Sequence, residues 1–318
     1  MGAVLITGGG GFLGARLAHW LLENRIDVPV LLTDIVENGR ISGLSDRVSF
    51  IQADLGDPDA CRHLVTSDVS KVIHLASLVS GGAEKDFEAG MRANLHATIN
   101  LMEACRLQGK RPGFVFASSI ATFGGSVLPA EVDDWTYQHP QNSYGVHKVI
   151  GEQLLNEYSR KGYLDGRATR LPAVIVRDDA NSAASGYASA LVREPLRGSD
   201  YVCPVRADTR IPIIGVRKCI ELLWALSELE DGALGDYRTV NGPGISPSAE
   251  EISETVRRLH PQPETLGTVD FEPAESVQGM IDAWPRVMRA DRALELGLPA
   301  DRSIDGLIAE HLMSLMPS

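Results

Sequence analysis

The chain has 318 residues, 44% of them hydrophobic, and a formal net charge of −12. This length and composition are typical of a globular protein with one large core, or with one large and one small lobe. The acidic balance argues against a nucleic-acid partner, because phosphate backbones need a basic surface. No apolar run approaches the length of a bilayer span and no signal peptide precedes the first strand, so we expect a cytoplasmic protein without a membrane partner.

The first predicted strand, Ala3 to Thr7, runs directly into a glycine-rich turn and a helix. In this turn Gly8 permits the sharp bend, Gly11 leaves room for a pyrophosphate, and Gly14 lets the helix pack on the strand. The helix N-terminus offers free N–H groups to the anion. The alternative is a flexible turn without a ligand, because the spacing G-x-x-G-x-x-G is shifted from the dehydrogenase fingerprint.

The next predicted strand covers residues 28–32, and Asp34 follows it. This aspartate stands about 20 residues beyond the glycines, where a carboxylate accepts both ribose hydroxyls and repels a 2′-phosphate. No arginine follows until Arg40, so the sequence predicts NAD rather than NADP as the cofactor.

Apolar strands then alternate with helices, which predicts a parallel sheet covered on both faces. We therefore expect an α/β fold: a Rossmann-type doubly wound parallel sheet over residues 1–176 and a smaller C-terminal, mainly substrate-binding region over residues 177–318. The further predicted elements, in chain order, are strand 48–52, helix 57–67, strand 71–75, a long helix 83–107, strand 113–117, helix 143–158, strand 168–176, a polar loop 178–186, helices 216–229 and 247–259, and a proline-rich stretch 261–273.

Ligands of such sheets bind beyond the carboxyl ends of the strands. By this placement Asp54, Ala76, Ser77, Ser119 and Pro172 lie at the expected ligand site. Asp54 either accepts a hydrogen bond from the adenine amino group or caps the following helix. The four cysteines are widely separated and no Cys or His cluster has metal-ligand spacing, so we expect no metal site.

Tyr144 and Lys148 stand four residues apart, which places a phenol and an ammonium on one face of a helix. A free phenol, with a pKa of about 10, is a weak base at neutral pH, but a neighbouring cation stabilises the phenolate. Ser119, at a strand end, is placed to hold the substrate oxygen opposite the tyrosine. The pattern predicts removal of an alcohol proton as hydride leaves its carbon, and a solvated helix face is the alternative.

Together these motifs resemble the extended short-chain dehydrogenases, the group of the NAD-dependent sugar-nucleotide epimerases and dehydratases. The resemblance is strong over residues 1–176 and loose beyond. It implies that Tyr144 is the base, Lys148 its partner and Ser119 the hydroxyl donor, that Asn94 supports the proton path, and that the helices 83–107 and 143–158 form a homodimer. The residues and segments that carry the resemblance are Thr7, Gly8, Gly11, Gly14, Asp34, Asp54, 74–77, Asn94, 118–124, Tyr144 and Lys148.

The expected NAD contacts follow from the same motifs and the strand ends beside them. They are Gly8, Gly11, Phe12, Leu13, Asp34, Asp54, Leu55, Leu75, Ala76, Ser77, Asn94, Tyr144, Lys148, Pro172 and Val174.

A closer similarity is to the D-erythronate dehydrogenases, a branch that acts on free four-carbon sugar acids. This similarity implies oxidation of C2 of D-erythronate to the 2-oxo acid (2-dehydro-D-erythronate) with NAD. The segments that carry it are 111–119, 156–167, 170–172, 181–185, 202–205 and 208–210.

An acid substrate needs one fixed cation for its carboxylate, and a guanidinium offers a bidentate match. Arg210 is the first candidate and Arg177 the second, with a surface ion pair as the alternative for either. The other expected substrate contacts are Ser77, Ser119, Thr122, Tyr144 and Asn181.

Three other functions stay open. One is a nucleotide-sugar epimerase or dehydratase that retains and recycles its NAD, although the asparagine expected near the start of the epimerase substrate loop is missing. Another is a dehydrogenase of a different aldonic or uronic acid. The third is a dinucleotide-sensing module without catalysis, against which the intact Tyr144 and Lys148 argue.

Overall fold

The structure, a computed structural model, describes residues 2–176 and 184–315. The chain forms two compact units. Unit 1 comprises residues 1–122, 142–170 and 220–240, and unit 2 comprises residues 123–141, 171–219 and 241–318. This division differs from the predicted boundary at residue 176, because 123–141 belongs to unit 2 and 220–240 returns to unit 1.

The elements follow one another as strands and helices with few long connections. Through the first half they are β1 Ala3–Thr7, α1 Phe12–Glu23, β2 Val30–Asp34, β3 Val48–Gln52, α2 Pro58–Leu64, β4 Val69–His74, α3 Ser80–Lys85, α4 Phe87–Gly90, a π-helical turn Met91–His96, α5 Ala97–Gln108, β5 Gly113–Ser119, β6 Glu131–Val132 and α6 Ser143–Arg160. Through the second half they are β7 Asp165–Leu171, β8 Ala173–Ile175, α7 Gly186–Leu196, β9 Tyr201–Cys203, β10 Ile213–Gly215, α8 Val216–Glu228, β11 Thr239–Asn241, α9 Ala249–Leu259, β12 Val269–Phe271, α10 Glu275–Asp282, β13 Val287–Met288, α11 Asp291–Glu295 and α12 Ile304–Ser314.

A seven-stranded sheet in the order β11-β7-β5-β4-β1-β2-β3 organises unit 1. The pairs β2–β3, β1–β2, β1–β4 and β4–β5 are parallel. The strand order reverses between β1 and β4, and in doubly wound sheets ligands bind in the crevice at such a switch point. The predicted Rossmann-type doubly wound fold is confirmed.

The central strands β1, β4 and β5 are largely buried, as expected for parallel strands that helices cover on both faces. Leu5 of β1, Val72 of β4 and Phe114 of β5 are fully buried in one core, which α2, α5 and α6 complete with Leu64, Leu101 and Leu155 among others. Burial of this kind contributes about 1.5–3 kcal/mol for each large apolar side chain.

Two predicted elements are divided in the structure, and several others differ only in their bounds. The helix predicted over 83–107 is broken at Asp86, which caps α4 by accepting a hydrogen bond from Ala89 N, and it contains the π-helical turn before α5. The strand predicted over 168–176 is interrupted at Pro172, because proline has no N–H to donate to a ladder. Beyond it, β8 pairs with β10 in a separate two-stranded sheet.

Unit 2 has its own core, in which Ile175, Leu191, Ile213, Ile252 and Ile308 are buried. Its strands form the small pairs β8–β10, β9–β12 and β6–β13. Within residues 2–176 and 184–315, every helix is too short or too polar to cross a bilayer.

Candidate active site

The turn after β1 has the geometry that the glycine pattern predicts. Gly8 adopts φ +70°, a left-handed conformation that strains other residues. A Cβ on Gly14 would collide with the carbonyl oxygen of Gly8, so only glycine lets α1 approach this turn. The N-cap residue of α1 is Gly11, which has no side chain to cap the helix. A helix N-terminus of this kind is suited to an anion.

Asp34 is the last residue of β2 and lies beside this turn. Its Oδ2 accepts a hydrogen bond from Gly10 N at 3.1 Å, and its Oδ1 accepts one from Ile35 N at 2.8 Å. The carboxylate is thereby fixed in orientation and keeps lone pairs for further donors. Its contact with ribose hydroxyls stays a prediction.

Asp54 is held by different partners from those predicted. It accepts hydrogen bonds from Arg92 Nη2 at 2.7 Å and from Gly56 N at 2.8 Å. Burial acts to raise the pKa of this carboxyl, but the hydrogen bonds from Arg92 and Gly56 N, together with the charge of Arg92, outweigh it and lower the pKa. Asp57, not Asp54, caps α2, so the capping alternative for Asp54 is wrong. The reason is that Pro58 opens the helix at its first position, where its missing N–H costs nothing.

A buried hydrogen-bond chain links β1, β4 and the π-helical turn. Thr98 Oγ1 donates to Asn94 O at 2.7 Å, so it accepts from His74 Nε2 at 2.9 Å. His74 Nδ1 then accepts from Thr7 Oγ1 at 2.7 Å, and that oxygen accepts in turn from the N–H groups of Leu75 and Ala76. Each donor meets one acceptor only if His74 is neutral with its proton on Nε2. Burial lowers its pKa to about 3, with the charge of Lys148 a smaller cause.

Asn94 lies within the π-helical turn and faces the loop after β4. Its Oδ1 accepts from Leu78 N at 2.7 Å and its Nδ2 donates to Leu78 O at 3.0 Å. The buried amide therefore clamps the backbone beyond Ala76 and Ser77. π-helical turns often mark functional sites, and this one holds a side chain that the sequence assigned to the site.

Ser119 is the last residue of β5, and a short 3-10 turn over Ile120–Thr122 follows it. Its Oγ accepts from Ala121 N at 3.1 Å, and its carbonyl oxygen accepts from Thr122 Oγ1 at 2.9 Å. Thr122 is fully buried. Its hydroxyl thus supports the backbone of Ser119, which differs from the direct substrate contact that we expected.

Tyr144 and Lys148 occupy the first two turns of α6, which Asn142 caps by accepting from Gly145 N at 2.8 Å. Lys148 Nζ lies 5.3 Å from the centre of the Tyr144 ring and 4.7 Å from that of Phe116. It donates to Ala117 O at 2.7 Å. The predicted pairing of phenol and ammonium on one helix face is thus present, and β5 fixes the ammonium.

Burial lowers the pKa of Lys148 to about 7, although the charge of Glu152 acts to raise it. The ammonium consequently changes protonation close to neutral pH. It stabilises a phenolate only while it is protonated.

Glu152 and Arg170 form an ion pair that the sequence analysis missed. Both side chains are fully buried, and Arg170 Nη2 lies 2.8 Å from Glu152 Oε2. Ser118 donates its hydroxyl to Glu152, and Arg170 also donates to the hydroxyl of Tyr237. Glu152 follows Tyr144 by eight residues, or about two helical turns. This spacing alone could have indicated that its carboxylate lies on the same helix face as Tyr144 and Lys148.

The other residues expected to contact NAD are spread over several elements of both units. Leu55 is buried and its carbonyl oxygen accepts from Asn100 Nδ2 at 3.0 Å. Phe12 and Leu13 open α1, while Ser77 is half-buried after β4. Pro172 and Val174 belong to unit 2, with Val174 paired with Ile214.

Arg210, the first candidate for a substrate carboxylate, is in an ion pair within unit 2. Its guanidinium donates to both carboxylate oxygens of Glu251, at 2.8 and 3.0 Å, and to Ser246 O at 2.8 Å. Glu251 also completes the capping box of α9 with Ser248. The surface ion pair that we held open for Arg210 is therefore observed. Two other expected substrate residues, Arg177 and Asn181, lie outside the described residues.

Known proteins resemble this chain over nearly its whole length. The profile of the NAD dependent epimerase/dehydratase family matches residues 4–237. A D-erythronate dehydrogenase from Cupriavidus necator is 42% identical, over 97% of this chain and 97% of the relative. A second from Haemophilus influenzae is 35% identical, over 97% and 98%. The crystal structure of a nucleoside-diphosphate-sugar epimerase from Agrobacterium tumefaciens superimposes with a TM-score of 0.92, at 33% identity over 99% of this chain and 94% of that one.

Proposed function

Because this chain belongs to the NAD-dependent epimerase/dehydratase family, we propose that it is a dehydrogenase that oxidises C2 of D-erythronate to 2-dehydro-D-erythronate with NAD. The observation that carries the chemistry is the buried ammonium of Lys148 beside the Tyr144 ring. The substrate is inferred from the two D-erythronate dehydrogenases, which match this chain along almost all of its length.

The residues of unit 1 fit NAD. The turn at Gly8 and the uncapped N-terminus of α1 suit a pyrophosphate, and the Asp34 carboxylate suits ribose hydroxyls without a 2′-phosphate. NAD, when bound, supplies the acceptor for the hydride. The Asp54 carboxylate, paired with Arg92, would border the adenine.

The chain's own groups handle the proton. Ser119 Oγ holds the C2 oxygen of the substrate, and Tyr144 Oη removes the hydroxyl proton as the C2–H bond breaks with its electron pair leaving as hydride. The C2–O bond thereby becomes a carbonyl. Lys148 stabilises the phenolate form of Tyr144 and binds the nicotinamide ribose, while Asn94 holds the adjoining loop in place through Leu78. General-base catalysis of this kind contributes about 10²–10⁴-fold in rate.

We assign the substrate carboxylate to Arg177 in preference to Arg210. The support is the occupied state of Arg210, whose guanidinium already meets both oxygens of Glu251. Ser77 and Asn181 are the proposed contacts for the remaining hydroxyls. Comparing KM for D-erythronate in Arg177→Ala and Arg210→Ala tests this assignment, and a larger rise for Arg210→Ala contradicts it.

A homodimer and a cytoplasmic location complete the proposal. Exposed apolar side chains on α5 and α6, namely Leu107, Val146 and Ile150, support pairing of these helices. Light scattering should give twice the monomer mass, and Val146→Glu should reduce it. All four cysteines lie in the described part of the chain and are free thiols, as is usual in the cytoplasm. Cell fractionation tests the location.

The deciding experiment is NADH formation, followed by absorbance, with D-erythronate, other aldonic and uronic acids, erythritol, and a nucleotide sugar. Tyr144→Phe serves as the inactive control. We expect D-erythronate to be the best substrate and erythritol, which has no carboxylate, to be poor.

The likeness to the Agrobacterium tumefaciens epimerase favours a second candidate, a nucleotide-sugar epimerase. Conversion of a nucleotide sugar without net NADH would establish that function instead.

A further inference from the structure

The catalytic face of α6 continues past Tyr144 and Lys148 to Glu152, one further turn along the helix. Residues spaced by four lie on one face, with Cβ atoms about 5–6 Å apart. The three side chains thus form a row of phenol, ammonium and carboxylate. The first two belong to the proposed chemistry, and the third has no part in it so far.

Two members of this row, Lys148 and Glu152, are hydrogen-bonded to β5. Lys148 Nζ donates to Ala117 O at 2.7 Å, and Ser118 donates its hydroxyl to Glu152. The residue that follows them in β5 is Ser119. The helix that carries the base is thereby joined to the strand that carries the hydroxyl donor by two adjacent contacts.

Arg170 of β7 holds the carboxylate from the other side. Its Nε lies 3.2 Å from each Glu152 oxygen and its Nη2 lies 2.8 Å from Oε2. Neither side chain has any exposed surface. Apolar replacements of buried ion pairs are often neutral or stabilising by about 1–4 kcal/mol, so stability alone gives no reason for this pair.

We propose, on the basis of the dehydrogenase function above, that Glu152 is a positioning residue. Its carboxylate, locked by Arg170, keeps the buried ammonium of Lys148 charged and fixes the end of β5 against α6.

The electrostatics around Lys148 support this role. Burial lowers its pKa to about 7 and the charge of Glu152 opposes that shift. The carboxylate therefore determines which fraction of Lys148 stays protonated above neutral pH. The titratable groups that face Lys148 are Tyr144, His147 and Glu152 on α6 and His74 on β4, which is neutral. Arg170 on β7 pairs with Glu152.

Two variants separate an electrostatic role from a packing role, because one removes the charge of Glu152 and the other keeps it. Glu152→Gln removes a negative charge and should lower the pKa of Lys148 by about one unit. Glu152→Asp keeps the charge and should leave the pKa of Lys148 closer to that of the wild type. Loss of packing alone would not separate the two variants in this order.

The probe is the ¹³Cε chemical shift of lysine in the free enzyme, titrated with pH. The sequence has only six lysines, and Lys148→Arg assigns the signal. This measurement needs no substrate, so it can support the inference even if D-erythronate proves not to be oxidised. The matched control is Glu157→Gln, on the same helix, whose exposed carboxylate pairs with Arg160 and should leave the Lys148 titration unchanged.

Activity provides the second measurement. At pH 8 a fall of one unit from about 7 reduces the protonated fraction of Lys148 about tenfold, so kcat of Glu152→Gln should fall about tenfold with little change in KM. Glu152→Asp, which keeps the charge, should recover part of the loss. If Glu152→Gln does not fold, Arg170→Gln replaces it. A buried carboxylate without its charge partner has a raised pKa and loses its charge, so the Lys148 titration should again move downward. A Lys148 titration that is the same in the wild type and in the folded charge-removing variant overturns the proposal.

Discussion

Acidification should destabilise this protein through His74. The ring lies between Thr7 Oγ1 and Thr98 Oγ1 and stacks on Phe116, with ring centres 5.9 Å apart. Burial lowers its pKa to about 3, whereas the unfolded chain has an ordinary histidine pKa of 6.5. Between these values the unfolded chain takes up a proton that the folded protein does not. The free energy of unfolding therefore falls as the pH falls below 6.5.

The size of the effect follows from the two pKa values. One unit of difference corresponds to about 1.4 kcal/mol. At pH 5 the unfolded chain has gained most of a proton and the folded chain almost none, so His74 alone should cost about 2 kcal/mol relative to pH 7.5. That is a large share of the 5–15 kcal/mol by which folded domains are typically stable.

Urea unfolding at pH 7.5, 6 and 5 measures this quantity in the wild type and in His74→Gln. Glutamine can donate to one threonine and accept from the other, but it does not titrate. The variant should be less stable at pH 7.5, and its stability should decline with acid by about 2 kcal/mol less than that of the wild type. Equal declines in the two proteins would refute a neutral, buried His74 and the directed hydrogen-bond chain built on it.

Three further outcomes are expected. Asp34 should make kcat/KM for NAD far higher than for NADP, and equal values would contradict its contact with the ribose. Tyr144→Phe should retain NAD binding, measured by fluorescence titration, and lose about 10²–10⁴-fold in kcat; retained activity would require another base. Arg210→Ala should change the free energy of unfolding by only about 0–1 kcal/mol, because its pair with Glu251 is exposed, and should leave KM for the sugar acid nearly unchanged. A tenfold rise in KM would return Arg210 to the substrate site.

Short sequence motifs predicted those parts of the candidate site that lie within a single segment of the chain. The glycine turn after β1, the strand end at Asp34 and the four-residue spacing of Tyr144 and Lys148 are each contained in a short segment. Their positions in the fold follow from the order of strands in a parallel sheet. The predicted strand 48–52 coincides with β3.

Features that depend on distant parts of the chain escaped prediction. A three-residue strand such as β11 carries no signal that it joins the main sheet beside β7. The Glu152–Arg170 pair joins a helix to a strand, and neither residue alone indicates its partner. Arg210 was the first candidate for the substrate carboxylate, and nothing near it in the sequence indicates that Glu251 of α9 pairs with it. Periodicity also missed the π-helical turn, because one inserted residue hardly changes an apolar pattern.

Because the two units are interleaved along the chain, truncation and exchange of segments affect them differently. The chain passes between unit 1 and unit 2 five times, and the last return supplies β11 to the edge of the large sheet. A fragment that ends at residue 176 would leave β7 as an uncovered edge strand, which invites aggregation. Neither unit can therefore be expressed as one continuous segment of the chain. Exchange of the three segments of unit 2, 123–141, 171–219 and 241–318, would nevertheless leave the strand order of the large sheet intact.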